Sequence, residues 1–235
     1  MKKRIPTIFR TLCILGATTL AAIGNAAVST AKNTTEKNAA VTVLDSAPVE
    51  NVIVNQAETA APDAEQPGIQ ARWINDTDFR GVTQTFLWQG GEGGEGTFSA
   101  LGVRISPEKN PKIQYKQPQR FTLDVQELNP RQTVARTLAS VGFTLVPEMA
   151  QPGKYLLIRL PGPVKMNDGG RYGFYIRPDE KNPGNRVAFA TNGKDAGDGF
   201  PNGAAAQTNA PGLLAAGVRY GRSPMNFDVT FFLQK

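Results

Sequence analysis

Apolar and polar residues alternate in short runs along much of the chain, and Gly or Pro residues separate one run from the next. In the clearest run, 120–126, Phe121, Leu123 and Val125 fall on one side of an extended backbone and polar residues fall on the other. Such period-two alternation is typical of β-strands with one buried face. No comparably long run has helical periodicity, so the pattern predicts a chain made of strands and turns.

The same alternation predicts about nine strands in one domain. Nine short strands in a single open sheet would leave a whole apolar face exposed, so we expect two packed sheets. The predicted fold class is therefore all-β, a two-sheet antiparallel β-sandwich with jelly-roll topology. The predicted strands are 82–88, 97–105, 120–126, 133–146 with one break, 154–160, 171–177, 186–191, 213–220 and 226–234.

Residues 1–26 have the pattern of a secretory signal peptide, with a basic start, an apolar middle and small residues at the end. The apolar span 11–23 is shorter than a membrane-crossing helix requires, so we expect cleavage near Ala26 or Ala27 and no membrane insertion afterwards. Cys13 lacks the preceding small residues of a lipoprotein site. The expected location is therefore the periplasm or the cell exterior.

Residues 27–70 are expected to form a disordered spacer, since they are rich in Ala, Thr, Asn, Glu and Pro and contain no aromatic residue. Such a segment buries too little apolar surface to offset the entropy lost on ordering. Two short apolar patches, 41–44 and 52–54, leave open the alternative that they pair as strands. The β-sandwich domain is then expected to occupy residues 71–235.

The amino-acid composition excludes several kinds of catalytic site, metal site and partner. The chain has no His, and its one Cys lies inside the predicted signal, so the mature protein would lack histidine and thiol catalysis, His/Cys zinc sites and disulfides. The net charge of +6 falls to 22 basic against 20 acidic residues once the signal's Lys2, Lys3, Arg4 and Arg10 are removed. Because the remaining basic residues are scattered singly, nucleic acid is not an expected partner.

Several segments resemble a broad group of secreted bacterial jelly-roll β-sandwich domains. Residues 79–86, FRGVTQTF, are similar to the opening strand of that group. Residues 155–174 resemble its strand pair around a Gly-x-Tyr-x-Phe connection, and 227–231 resemble its closing strand. These domains are carbohydrate-binding-module-like or galactose-binding-like and occur in PEP-CTERM-sorted and other exported proteins. The resemblance implies a carbohydrate-binding role, although this chain lacks the sorting helix of many members.

The alternation also predicts a candidate ligand-binding face. Two strands turn their apolar residues toward the core, which turns Tyr155 and Arg159 of one strand outward, together with Tyr175 and Arg177 of the other. An exposed aromatic ring can stack on a sugar while Arg donates to its hydroxyl groups. The open alternative is that these residues merely cover a sheet. Trp88 is in phase with core residues and is expected in the core.

The loop 191–202 is rich in Asn, Asp and Gly, and its oxygen atoms suit calcium. Asp195 and Asp198 are therefore candidate ligands for a structural Ca²⁺, although the same residues are common in ordinary turns. No other cofactor is expected.

Together these features predict a secreted, non-catalytic domain that binds carbohydrate or another extracellular surface, with a polysaccharide or cell-envelope component as its partner. Two alternatives remain open. One is a purely structural envelope or matrix protein. The other is a polysaccharide lyase or hydrolase, because paired carboxylates can cleave glycosidic bonds without histidine.

Overall fold

The computed structural model describes residues 40–55, 69–73, 79–90, 95–106, 115–179, 186–191, 203–208 and 228–235. In these ranges the chain forms strands and turns and no helix, so no helix capable of spanning a membrane occurs there either. The strands are β1 (Val41–Leu44), β2 (Val52–Asn55), β3 (Ile69–Trp73), β4 (Phe79–Leu87), β5 (Glu95–Arg104), β6 (Gln119–Leu128), β7 (Val134–Leu145), β8 (Tyr155–Asn167), β9 (Arg171–Pro178), β10 (Arg186–Phe189), β11 (Ala204–Thr208) and β12 (Phe231–Gln234).

The strands form two antiparallel sheets packed as a sandwich. The five-stranded sheet has the order β1-β8-β5-β12-β2, and the seven-stranded sheet has the order β10-β3-β4-β9-β6-β7 with β11 paired to β4. Within them, the sets β2-β12-β5-β8 and β4-β9-β6-β7 follow the double Greek-key connectivity of a jelly roll. The predicted fold class is confirmed.

The space between the sheets is filled by the apolar residues of the alternating runs. Phe231 of the five-stranded sheet contacts Phe86 and Phe174 of the other sheet, with ring centroids 5.8 Å and 5.2 Å apart. Phe121 stacks on Phe143 at 5.7 Å. These rings are all almost completely buried, so the inward face of each strand is the one that the alternation predicts.

The spacer prediction is wrong for residues 40–55. β1 pairs with β8 in a register that places Val41 opposite Ile158, and β2 pairs with β12. Val41 and Val43 pack against the core. A four-residue apolar patch cannot hold a fold alone, but an existing sheet edge supplies both its hydrogen bonds and its buried face. The remainder of the predicted spacer up to residue 68, and the predicted signal peptide, lie outside the described residues.

The largest difference between a predicted and an observed strand boundary is at the end of β8. β8 does not end at Leu160, because Arg159 pairs with Ala100 and Val164 pairs with Phe98, which leaves the Pro-containing residues between them as a bulge. A bulge accommodates proline because no ladder hydrogen bond is required there. β3 and β11 were not predicted, and the first two residues of β3 belong to the predicted spacer. The predicted strand 213–220 lies outside the described residues.

Candidate functional site: a groove beside Trp88

The structure does not bring the four predicted binding residues onto one surface. Tyr155 and Arg159 belong to β8 of the five-stranded sheet, whereas Tyr175 and Arg177 belong to β9 of the seven-stranded sheet. All four point away from the core, but from opposite sides of the sandwich. The predicted shared Tyr/Arg face is therefore wrong. The alternation of residues shows which side chains point away from the core, but it does not show which of the two sheets a strand joins.

The two tyrosines are also buried, with 6% of Tyr155 and 1% of Tyr175 accessible. Tyr155 packs against Phe232, ring centroids 5.7 Å apart, and the guanidinium of Arg104 lies 5.7 Å from its ring centre. Ala100 and Leu157 complete this small apolar cluster on the outer face of the five-stranded sheet. Neither ring is therefore available for sugar stacking in this structure.

Tyr175 lies flat over Gly81 of the adjacent strand β4. A methyl group at position 81 would come within 2.2 Å of Cε2 of Tyr175, so only glycine admits this ring. Leu128 packs against the same tyrosine. Burial raises the pKa of the Tyr175 phenol well above its usual range, while the positive charge of Arg177 partly opposes the shift.

Arg159 is exposed, but Arg177 is held in a polar cluster that crosses β6, β7 and β9. Its guanidinium donates to Asp179 at 2.8 Å and lies 3.7 Å from Asp124. Thr122 donates to Asp179 at 2.7 Å, and Ser140 donates to Asp124 at 2.6 Å. Both carboxylates therefore have partners inside the cluster, and the cluster links the three strands to one another.

The candidate calcium ligands Asp195 and Asp198 lie outside the described residues. Among the residues that the structure does describe, no group of three or more His, Cys, Asp or Glu side chains is placed to hold a metal ion.

A groove of about 510 Å³ lies beside Trp88, which falls within the size range of small-ligand sites. Strand β5 forms one wall, where exposed Glu95 and Thr97 alternate with buried residues. Ser99 continues the polar side of this wall. Apolar surface comes from other parts of the chain. The groove is lined by Ile53, Trp88, residues 95–99, Pro163 and Lys235.

Trp88 is positioned by its backbone and by a glycine. Its N–H donates to Gly170 and its carbonyl accepts from Gly169, both at 2.9 Å, which fixes it against the turn between β8 and β9. The indole packs on Gly96, where a methyl group would come within 2.5 Å of Cζ2. The indole Nε1 has no hydrogen-bond partner in the structure. Packing of the ring surface, rather than a side-chain hydrogen bond, therefore fixes its place.

Sequence reasoning identified Trp88 as a core residue and missed its second role. The residue is half-buried and packs against the core, as predicted, but it also lines the groove. The useful signal was the glycine-rich stretch before β5, since a glycine in a strand often marks close approach by another group. Gly96 is such a glycine, and the approaching group is the Trp88 ring.

Comparisons with protein-family models, with curated proteins and with solved structures found no match for this chain.

Proposed function

We propose that this protein is a secreted, non-catalytic β-sandwich that binds carbohydrate in the groove beside Trp88. The observation that carries the proposal is the combination of an indole surface with exposed Glu95 and Thr97 in one groove of about 510 Å³. The apolar C–H face of a sugar packs on aromatic surface, while its hydroxyl groups require hydrogen-bonding partners nearby.

The polar wall suits this ligand class. Glu95 accepts hydrogen bonds, while the hydroxyls of Thr97 and Ser99 both donate and accept. The side chains at 95 and 97 form a row on one side of β5, whereas Gly96, on which the indole packs, faces the other side, so the indole and the polar row reach the groove from opposite sides of this strand. Sugar hydroxyls spaced along a ring can meet such a row. Ile53 and Pro163, which also line the groove, offer apolar contact.

The arrangement of carboxylates supports binding rather than catalysis. The carboxylates of Asp124 and Asp179 are engaged by Arg177, Thr122 and Ser140. They lie in the polar cluster that links β6, β7 and β9 and do not line the groove, where Glu95 is the acidic side chain.

The test is affinity electrophoresis of the full chain against a panel of neutral and uronic-acid-containing polysaccharides. We expect retention by at least one polysaccharide, weakened about tenfold or more in Glu95→Gln/Thr97→Ala, because the substitutions remove polar groups that line the groove. Both side chains are exposed, so we expect little change in stability. Trp88→Leu should abolish retention. Arg159→Ala is the matched control, since Arg159 is exposed on β8 outside the groove.

Unchanged retention in Glu95→Gln/Thr97→Ala and Trp88→Leu would place the site elsewhere on the molecule. Failure of every polysaccharide to retard the folded protein would overturn the proposal and favour the alternative of a structural envelope or matrix protein.

A further inference from the structure

The edge strand β7 differs from the other strand edges of the sandwich. β1, β2 and β10 are each four residues long, and short edge strands offer little template for added strands. β7 has twelve residues and pairs only with β6 among the described strands. A long edge strand exposes a row of backbone N–H and C=O groups that can pair with another strand.

The two halves of β7 are not equally open. In the first half, two register shifts against β6 leave extra residues in β7, and exposed Arg136 forms an ion pair with Glu127. Bulges and charged side chains are devices that discourage strand addition. The second half, 139–145, pairs with β6 without interruption and contains neither a charged residue nor proline.

The direction of the free backbone groups in this half follows from one hydrogen bond. Asp179 N–H donates to the carbonyl of Arg120 at 2.9 Å, so Arg120 points its backbone groups away from β7. Thr144 is directly opposite Arg120, and in an antiparallel pair both members then point outward. By alternation, Ser140, Gly142 and Thr144 present their N–H and C=O groups to the free edge. Ser140 and Thr144 are exposed, and Gly142 is half-buried.

We propose that residues 139–145 of two copies of this chain pair antiparallel around a twofold axis at Gly142, joining two sandwiches through a continuous sheet. This register places Ser140 opposite Thr144 of the second copy, so every free edge group in the segment finds a complement. It also places Val141 beside Phe143 on the inner face and Ala139 beside Leu145. Glycine at the axis leaves space where identical residues meet.

The charge distribution permits this pairing. Two charged groups of β6 lie beside this segment. The Asp124 carboxylate accepts from Ser140 at 2.6 Å and lies 3.7 Å from the Arg177 guanidinium. The Arg120 guanidinium would lie 3.2 Å from a methyl group at position 142 and is 3.9 Å from the Asp179 carboxylate, so much of each charge is compensated within its own copy. We expect two seven-residue edges to bury less surface than a stable standard interface, whose lower limit is about 1,200 Å², and we therefore expect a weak dimer with a dissociation constant of about 10–100 μM.

The test is sedimentation velocity of the full chain over a concentration series that spans this range. We expect a reversible monomer–dimer equilibrium, weakened about tenfold or more by Thr144→Pro. Proline at position 144 removes an edge donor and leaves the ladder to β6 intact, because the N–H of Thr144 points away from β6. Thr144→Val, which keeps the backbone N–H, is the matched control and should dimerise as the parent does.

Hydrogen exchange of the unmodified protein provides a second test that requires no variant. The amides of 140, 142 and 144 should exchange more slowly as concentration rises, whereas those of 141 and 143 should be protected throughout by β6. The proposal would be overturned if the protein is a monomer at every concentration, or if Thr144→Pro leaves the dissociation constant of the dimer unchanged. The proposal would also be overturned if the amides of 140, 142 and 144 are already protected at the lowest concentration, because another part of the same chain would then cover this edge.

Discussion

The side chain of Gln84 donates to the carboxylate of Asp228 at 2.6 Å, although the two residues are 144 positions apart in the chain. Both are buried, with 0% and 1% of their surface accessible. The same amide donates to the carbonyl of Thr85 at 2.9 Å, and its oxygen accepts the N–H of Val229 at 2.8 Å. Through these bonds, Gln84 of β4 holds residues 228–229, which directly precede β12 of the opposite sheet.

Gln84→Leu should lower the free energy of unfolding by about 2–3 kcal/mol, because it removes hydrogen bonds from a buried carboxylate and a buried N–H. Asp228→Asn should cost less, since an amide oxygen can still accept from Gln84. Urea denaturation of both variants at neutral pH measures the difference. A loss below about 0.5 kcal/mol in Gln84→Leu would show that this link adds little to stability.

Gly102→Ala should be destabilising through overpacking. The added methyl group would come within 2.1 Å of Cζ of Phe232, a fully buried ring, so strand or ring must shift. The expected loss is about 1–3 kcal/mol. Gly162→Ala is the matched control, because no atom lies within 4 Å of the new methyl group. Thermal denaturation should therefore separate the two variants, and equal melting temperatures would contradict the packing described for Phe232.

Stability should decline at alkaline pH because of Tyr175. Burial, the largest cause, raises the pKa of this phenol; Arg177 lowers it and Asp124 raises it. Folding thus favours the neutral phenol. Its contribution is fully present below the ordinary tyrosine pKa of about 10 and is lost as the pH rises beyond that value toward the folded-state pKa.

The measurement is the free energy of unfolding as a function of pH between neutrality and the alkaline range. Tyr175→Phe should give a shallower alkaline decline than the parent. Burial also raises the pKa of Tyr155, opposed by Arg104, so some decline should persist in the variant. Identical slopes for parent and variant would show that Tyr175 ionises in the folded protein as it does in the unfolded chain.

The hairpin between β6 and β7 allows a stabilising substitution. Gln132 adopts a positive φ of 61°, which is unfavourable for most side chains. The oxygen of Asn129 accepts the N–H groups of Arg131 and Thr133 at 2.9 and 3.1 Å and holds this turn. Gln132→Gly should therefore raise the free energy of unfolding by about 1 kcal/mol, whereas Asn129→Ala should lower it. A melting temperature that falls in Gln132→Gly would contradict this account.

The alternation of side chains was enough to predict two packed sheets, because burial of one face per strand is a local property of the sequence, but it does not specify which strands pair. The face assignments for Leu156, Ile158 and Phe174 are correct for this reason. The same reasoning could not predict that β1 and β2 are strands. Their four-residue patches become strands only because β8 and β12 provide edges for them, and that pairing is a long-range property.

The candidate site was harder to predict than the fold. Tyr155 and Tyr175 do point away from the core, as predicted, but both are buried. Phe232 covers Tyr155, and the ring of Tyr175 fits over Gly81 because glycine has no side chain. Trp88 and Gly96 are brought together by the return of β5 alongside the end of β4. The Trp88–Gly96 contact spans only eight positions and is signalled by a glycine in a strand. No local pattern encodes the contacts of Tyr155 with Phe232 or of Tyr175 with Gly81, which join distant segments, so predicting them requires the tertiary structure.

The position of β12 between β5 and β2 also has a kinetic consequence. β12 lies between β5 and β2, so the five-stranded sheet stays divided until residues 231–234 are available to join it. A chain synthesised from its N-terminus can form the β6–β7 hairpin early, but it completes the jelly roll only after residues 231–234 have been made. Until then β2 lacks a partner, and the unfinished sheet is the state most exposed to aggregation or proteolysis.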